Sequence, residues 1–363
     1  LEYLKNICNQ FQIEQPVLKT NIIASGHIND TYLINCSNDL KYILQNINNQ
    51  VFNNLKDIIS NKVLVTNHLK NEYDKISSTY QTASFIKSKK DTYYIEAYQG
   101  FWTLMEYIPN SKTIERAENE KQVFEAGKLF GNFISSTTTL DTDCIIETLP
   151  EFHSVPCRFL HFEAALKKAS PVRMNHAKQL IDFVYKHKEE MFQLSELKNK
   201  NTFPLRVTHN DTKMSNILFN KGDNGLAIID LDTVMPGIVH FDFGDSIRSI
   251  CSNTVEDSED LEQTFINMNF YNIYCKGFAS ETSMMFTPKE IEYLPLAVKT
   301  LIYIIGLRFL TDYLNNDVYY KTAYKTHNLV RAKNQMKLLQ SVIENFDEVK
   351  AITYSNFNLK NIS

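Results

Sequence analysis

Val207-Thr208-His209-Asn210-Asp211-Thr212-Lys213-Met214-Ser215-Asn216-Ile217-Leu218-Phe219, continued by Ile228-Ile229-Asp230-Leu231-Asp232, is the stretch that decides the fold. An apolar strand ends just before Asp211, and Asn216 closes the loop that follows. Asn216 opens a second apolar strand, Lys221-Gly222-Asp223-Asn224-Gly225 reverses the chain, and the returning strand ends on Asp230. A hairpin of that length brings Asp230 back beside Asn216. One carboxylate and one amide oxygen then converge, with a second carboxylate near by. Oxygen-only ligands, few and leaving open positions, suit Mg2+ held partly by a nucleotide's phosphates.

On either side of this insert the chain has two characters. Before it, Leu18–Ala24, Thr31–Asn35, Lys41–Ile47, Thr92–Ala97 and Trp102–Tyr107 alternate apolar and polar residues, which predicts strands. A single helix over Leu55–Leu69 interrupts them, and Pro109-Asn110 breaks the chain. Helical spacing then dominates, over Glu118–Ser135, Arg158–Lys168, Asn175–Leu194, Leu261–Lys276, Pro288–Leu314 and Asn328–Asn345. Thr287-Pro288 with Glu290 reads as a cap, a first-turn proline and an early acid. The expected fold is therefore α+β with two lobes. Residues 1–107 form a small antiparallel-sheet lobe with one helix, and residues 108–363 form a larger, mostly helical lobe. The crevice between unequal lobes is where a ligand is expected.

Composition narrows the function. The chain has 363 residues, about twice the usual domain size. Its 38 Lys and Arg against 42 Asp and Glu leave no basic surplus for nucleic acid or an anionic membrane. Only 10 glycines are present, and neither G-x-G-x-x-G nor G-K-[ST] occurs, which excludes a Rossmann turn and a Walker loop. Cys8, Cys36, Cys144, Cys157, Cys251 and Cys275 are scattered with no C-x-x-C pair, as expected of reduced thiols in a cytoplasmic protein. The apolar stretch Leu294–Leu310 contains Pro295, Lys299 and Arg308 and reads as a core helix, not a membrane span.

The loop and hairpin resemble the catalytic loop and metal aspartate of kinase-like phosphotransferases. That resemblance makes Asp211 the base that takes the acceptor hydroxyl's proton, Asn216 and Asp230 the metal ligands, and His209 a shaper of the loop. Asp242-Phe243-Gly244 spells the metal-binding D-F-G of protein kinases, but it lies twelve residues and a Pro236-Gly237 beyond Asp230. Asp242 and Asp245 are instead expected to brace the catalytic loop by hydrogen bonds. Asp232 is either a second metal ligand or a structural acid, and Arg248 either faces phosphate or forms a salt bridge.

The order of lobes, without H-R-D-L or A-P-E, is similar to the aminoglycoside phosphotransferase and choline kinase-like superfamily. Within it the chain resembles the bacterial N-acetylhexosamine 1-kinases along nearly its whole length. The matching runs include Gly26–Tyr32, Tyr42–Asn48, Arg206–Asn216, Ile229–Gly237, Asp242–Arg248 and Arg308–Leu314. The resemblance implies transfer of the ATP γ-phosphate, with Mg2+, to the anomeric hydroxyl of N-acetylglucosamine or N-acetylgalactosamine. His27, Asn29, Arg308 and Tyr319, together with Asp211, are the implied sugar contacts.

Gln45 stands on the third strand where kinases usually place the lysine that holds the α- and β-phosphates. The helix after it offers only Asp57 as an acid at its start. Nucleotide binding is therefore expected to fall to Gln45 itself, to backbone amides at Ser25-Gly26, and to the hinge Met105-Glu106-Tyr107-Ile108. Other readings are a kinase of the same fold for an aminoglycoside, choline, homoserine or neutral hexose, and a binding module that has lost catalysis. With one fixed positive charge and no acid among the expected acceptor residues, a neutral, hydroxyl-rich acceptor is favoured over a cationic one. The presence of Asp211, Asn216 and Asp230 argues against lost catalysis.

Overall fold

In the computed structural model, residues 2–14, 16–25, 29–48 and 54–359 are described. A short helix α1 (Glu2–Cys8) leads into the alternating segments, which pair throughout as antiparallel strands. They are β1 (Val17–Ser25), β2 (Asp30–Cys36), β3 (Lys41–Ile47), β4 (Ile95–Ala97) and β5 (Gly100–Glu106), in the order β1-β2-β3-β5-β4. Between β3 and β4 runs α2 (Leu55–Lys75). Leu4, Ile7 and Phe11 pack with Ile34, Leu44, Trp102 and Leu104 in one core cluster. Ile47 and Phe101 pack in another with Ile58, Ile59 and Val63 of α2.

Further along α2, Val65, Leu69 and Tyr73 belong to the large core of the helical part. One helix thus contributes to both cores, because its apolar stripe is long enough to reach past the sheet. Lys62 lies on that stripe and is 3% exposed.

The rest of the chain is β6 (Lys112–Thr113), α3 (Glu120–Ser136), α4 (Val155–Leu166), α5 (Pro171–Asn199), β7 (Arg206–Thr208), β8 (Ile217–Phe219), β9 (Gly225–Ile228), β10 (Met235–Gly237), α6 (Val239–Ile250), α7 (Met268–Thr282), α8 (Pro288–Leu314), α9 (His327–Glu344) and α10 (Phe346–Asn356). The expected α+β architecture is the observed one. Side-chain caps start most of the long helices. Asn119, Ser154, Ser170 and Asn267 each accept a backbone N–H from the first turn, satisfying donors that the helix itself leaves orphaned. Thr287 and Glu290 form the reciprocal capping box expected for α8. Arg206 grips the same Glu290 carboxylate at 2.8 and 3.0 Å, tying the start of α8 to β7. α8 is long and apolar enough to cross a membrane, but it is a core helix here, with 89% of its most apolar window buried inside the protein.

Two of the scarce glycines permit a close helix crossing. A Cβ at Gly127 would lie 2.4 Å from the Tyr274 carbonyl, and one at Gly277 would lie 2.2 Å from that of Phe124. α3 and α7 therefore pack backbone to backbone, which no larger residue allows.

Two expectations about the helices need correction. The segment from Asp242 to Arg248 lies inside a helix, α6, that periodicity did not reveal because nearly every one of its residues is buried. The helix expected over Leu261–Lys276 starts only at Met268, since Ile266 bridges back to Ser252 and Asn267 serves as the cap.

Candidate active site

β8 and β9 form the expected hairpin, with Ile217 opposite Ile228 and Leu218 opposite Ala227. The Ile229 N–H donates to the Asn216 carbonyl at 2.9 Å, so Asp230 emerges one residue past Asn216's partner. Asp230 has φ 62° and ψ 57°, a left-handed conformation that Asp tolerates better than most side chains. That kink ends the strand and turns the chain into Leu231–Thr233, which the loop around Asp211 holds. The Thr233 hydroxyl donates to the His209 carbonyl at 2.6 Å, and Asn210 Nδ2 donates to the Thr233 carbonyl at 3.0 Å.

The loop is braced from beneath by α6. The two oxygens of Asp242 accept the backbone N–H groups of His209 (2.8 Å) and Asn210 (2.7 Å). Asp245 accepts that of Thr212 at 3.1 Å and pairs with Arg248 at 2.8 Å. The D-F-G aspartate is thus a loop brace and sits apart from the hairpin. Arg248 forms salt bridges to Asp245 and Glu256, which decides the question the sequence left open. His209 is fully buried. Its Nδ1 accepts the Asp211 N–H at 3.2 Å, which leaves Nε2 to donate to the Ile229 carbonyl at 3.0 Å. One imidazole therefore ties the loop to the strand that ends on Asp230.

Asp211, half-buried, accepts hydrogen bonds at one carboxylate oxygen from Lys213 Nζ (2.8 Å) and Asn216 Nδ2 (3.0 Å). Asn216 Nδ2 also donates to the Asp211 carbonyl at 2.8 Å. The amide nitrogen being spent on Asp211, the Asn216 Oδ1 is the atom left for a cation. Burial pushes the Asp211 carboxyl up, but the Lys213 charge and hydrogen bond, with His209 and Asn216, hold it below its ordinary value. Asp230 is exposed to solvent. Desolvation, then the charges of Asp232 and Asp211, push it up to about 7. Carboxylates crowded until one resists ionising form a site that a divalent cation would relieve. Among the described residues no group of three His, Cys, Asp or Glu side chains is placed to hold a metal. One carboxylate plus one amide oxygen nonetheless fits Mg2+, which keeps other positions for water and phosphate.

Asp232 is engaged elsewhere. Its oxygens take the Lys62 ammonium and the Asn29 amide, so it is a structural acid and not a free metal ligand. Asn29, expected among the sugar contacts, has its other end committed too, accepting the Asn48 N–H at 3.0 Å. It bridges the sheet to the segment after the hairpin. Gln45, expected to meet the nucleotide, accepts from Lys62 Nζ at 3.1 Å.

Gly26 and His27 lie outside the described residues. Ser25 ends β1, its backbone paired with Asp30. At the hinge, the N–H of Glu106 donates to Ser84 and that of Tyr107 to Lys41, at 2.9 and 3.1 Å. Met105 is paired within the sheet opposite Ile43. Among the described residues, the Ile108 N–H is the hinge donor with no partner, while the Ile108 carbonyl takes the Ser111 hydroxyl at 2.6 Å.

Arg308 and Tyr319 are brought together. The Arg308 guanidinium lies over Phe152, Tyr320 and Tyr319, at 5.3, 5.6 and 5.9 Å from the ring centroids. Tyr319 is exposed, and its loop is shaped by Asp312, whose carboxylate accepts the N–H groups of Val318, Tyr319 and Tyr320 at 2.9–3.0 Å. Sequence reasoning missed Arg158 and His153 beside them. Arg158 donates to the Phe152 carbonyl at 2.7 Å, and burial and the Arg308 charge hold it below its ordinary value. His153 Nε2 meets the Asn210 carbonyl at 3.2 Å, within electrostatic reach of Arg308 and Asp211. Neither residue carries a motif. Lys62 did carry a signal, a lysine set on the apolar stripe of an amphipathic helix.

α6 also sets a pH dependence. His240 is fully buried, facing the Glu290 carbonyl at 3.0 Å, and burial lowers it to about 4. Below pH 6.5 the unfolded chain binds a proton that the folded one refuses, so this group's contribution is present above 6.5 and is lost as pH falls toward 4. Urea titrations of wild type and His240→Gln, which keeps a donor but does not titrate, are expected to diverge. The stability of wild type relative to the variant should drop by about 2 kcal/mol between pH 7 and pH 5. Parallel curves would mean His240 is protonated alike in both states.

Comparison with known proteins agrees with this architecture. The sequence model of the phosphotransferase enzyme family matches residues 19–265, more than half of the chain. Among solved structures, the chain is similar to an aminoglycoside phosphotransferase from Alicyclobacillus acidocaldarius, with a TM-score of 0.62 and 12% identity over 94% of this chain and 96% of that one. It is similar to an amicoumacin kinase in complex with AMP-PNP, Ca2+ and Ami, with a TM-score of 0.59 and 13% identity over 93% and 92%. An ethanolamine kinase from Plasmodium vivax matches with a TM-score of 0.56 and 14% identity over 86% and 80%. At these identities the likeness is one of fold.

Proposed function

The chain belongs to the phosphotransferase enzyme family, and from that premise we propose that it moves the γ-phosphoryl group of ATP onto the anomeric hydroxyl of an N-acetylhexosamine. Residues 1–107 would carry the nucleotide and residues 108–363 the catalytic loop and the acceptor. The observation that carries the reading is the convergence of Asp211, Asn216 and Asp230, with the Asn216 amide turned so that its nitrogen holds Asp211.

In this reading Asn216 and Asp230 hold Mg2+, which neutralises charge on the transferred phosphoryl group. Asp211 orients the acceptor hydroxyl and takes its proton late in a loose transition state. A carboxylate held below its ordinary value is a weak base, which matches an anomeric hydroxyl, the most acidic on a sugar. Lys213 keeps Asp211 ionised and its loop fixed. The Ile108 N–H is the donor available to an adenine edge.

For the acceptor, the Arg308 and Tyr319 pair supplies a planar fork and a hydroxyl beside the catalytic loop. Arg158 adds a second guanidinium. A cationic aminoglycoside or choline would meet both charges, whereas a sugar bearing hydroxyls and an acetamide meets donors suited to oxygen. Arg308→Ala is expected to raise the sugar KM about ten- to hundredfold, from the roughly 1.5–3 kcal/mol of a charge-assisted hydrogen bond, and to change the ATP KM little. Equal effects on both would place Arg308 outside the acceptor site.

The deciding experiment is an ADP-release screen over N-acetylglucosamine, N-acetylgalactosamine, glucose, galactose, homoserine, kanamycin and choline, with the product read by 31P NMR. A phosphate coupled to the anomeric proton, formed fastest from an N-acetylhexosamine, supports the proposal. Turnover confined to kanamycin, choline, homoserine or a plain hexose would replace it with another small-molecule kinase of the same fold.

A further inference from the structure

A kinase cleft needs a cation against the nucleotide's α- and β-phosphates, and β3 here offers Gln45 instead of a lysine. The structure brings a lysine to the same place from another element. Lys62 reaches from α2 to Gln45 Oε1 at 3.1 Å and to Asp232. It is 3% exposed, and a lysine that buried has to be paired on all sides that water has left. Two of its three protons are accounted for by these partners, and the Phe85 ring lies over its Nζ at 5.8 Å.

Asp232 also takes the amide of Asn29, the residue just before β2. Asp232 follows Asp230 by two residues, and Lys62 is close enough to Asp230 for its charge to act there. Lys62 therefore stands between β3 and the segment that follows the hairpin expected to hold the metal. Lys213, another cation near this centre, pairs with Asp211 at 2.8 Å. Lys299, equally buried, pairs with Glu190 and is no part of this centre.

We propose that Lys62 is the phosphate-binding lysine of this protein, moved from β3 to α2, with Gln45 and Asp232 holding its ammonium in place. The usual arrangement has a lysine on the strand and an acid on the helix. Here the strand carries an amide, the helix carries the lysine, and the acid comes from the hairpin. The same strand and helix are joined, and Asp232 couples them to the loop proposed to hold the metal. The inference rests on the nucleotide reading of the cleft given above.

Two measurements test it. In wild type, a biotin-bearing acyl phosphate of ATP, which acylates a lysine lying against the phosphates, should label the Lys62 peptide, and excess ATP should protect it. Label found on Lys213 or elsewhere but never on Lys62 overturns the proposal. In calorimetric titration with Mg-ADP, Lys62→Gln should raise the Kd by roughly tenfold or more. The swap Gln45→Lys with Lys62→Gln should bring it back to within about threefold of wild type. A Lys62→Gln protein that unfolds more easily yet binds Mg-ADP as wild type does shows a purely structural salt bridge and overturns the proposal. A swap that folds but stays as weak as Lys62→Gln overturns it too. Should Lys62→Gln fail to fold, the labelling of wild type still decides. Wild type that binds no Mg-nucleotide defeats this proposal together with the nucleotide reading, whereas equal binding by wild type and Lys62→Gln defeats this proposal alone.

Discussion

Asp211→Asn is expected to lower turnover by roughly 10²- to 10⁴-fold, the range that one positioned general base supplies. Asparagine keeps an oxygen to accept from Asn216 and Lys213, so the loop should hold its shape. What it loses is the basic lone pair and the negative charge that Lys213 balances. The affinity for Mg-AMP-PNP should stay within about threefold, because nothing in the reading routes nucleotide binding through Asp211. Single-turnover rates and calorimetry on the same preparation check both halves. Wild-type turnover in the variant would remove Asp211 from the chemistry, and lost nucleotide binding would make it a metal ligand. With Mg2+ saturating, so that Asp230 stays ionised, activity should hold down to the ordinary carboxylate range and fail only below it, since Asp211 is held below its usual value.

The second large effect separates two aspartates that the sequence makes easy to confuse. Asp230→Ala removes the carboxylate proposed for the metal and should weaken Mg-nucleotide binding by roughly hundredfold or more, several kcal/mol being at stake. Its effect on folding should be small or favourable, because desolvation and two like charges already push this group up to about 7. Asp242→Ala should do the reverse. It strips the acceptor from the backbone N–H groups of His209 and Asn210, leaving two buried donors unsatisfied at about 1–3 kcal/mol each. The carboxylate it deletes was itself strained by burial, being pushed up to about 6, which offsets part of that loss. The expected result is a lower urea midpoint with nucleotide affinity near wild type. The opposite ranking would put the metal at the D-F-G aspartate.

Much of this was legible from residues close together in the chain. The strand, loop and hairpin around Asp211 are set by local alternation and by turn chemistry over a few residues. Their consequences, Asn216 opposite Ile229 and Asp230 one step beyond, follow from strand geometry alone. The capping box at Thr287 and Glu290 was readable for the same reason, its two bonds spanning three residues. Asp242 as a brace was readable too, but only by exclusion, through its distance from the hairpin. α6 was hidden because a helix buried on every side has no polar face to reveal its period.

What the tertiary structure alone decided lies in contacts between distant segments. Lys62 and Asp232 are separated by 170 residues, and Asn29 and Asp232 by 203. No local pattern says that Asn29 will join the sheet to the segment after the hairpin. Nor does one place Arg158 against Arg308. The sequence by itself determined the α+β architecture and the hairpin after Asn216, because backbone hydrogen bonding and side-chain periodicity act over neighbouring residues. The partners of each buried charge were settled only by the packed structure. An ion taken out of water must find its counter-charge wherever the fold happens to bring one, at any distance along the chain.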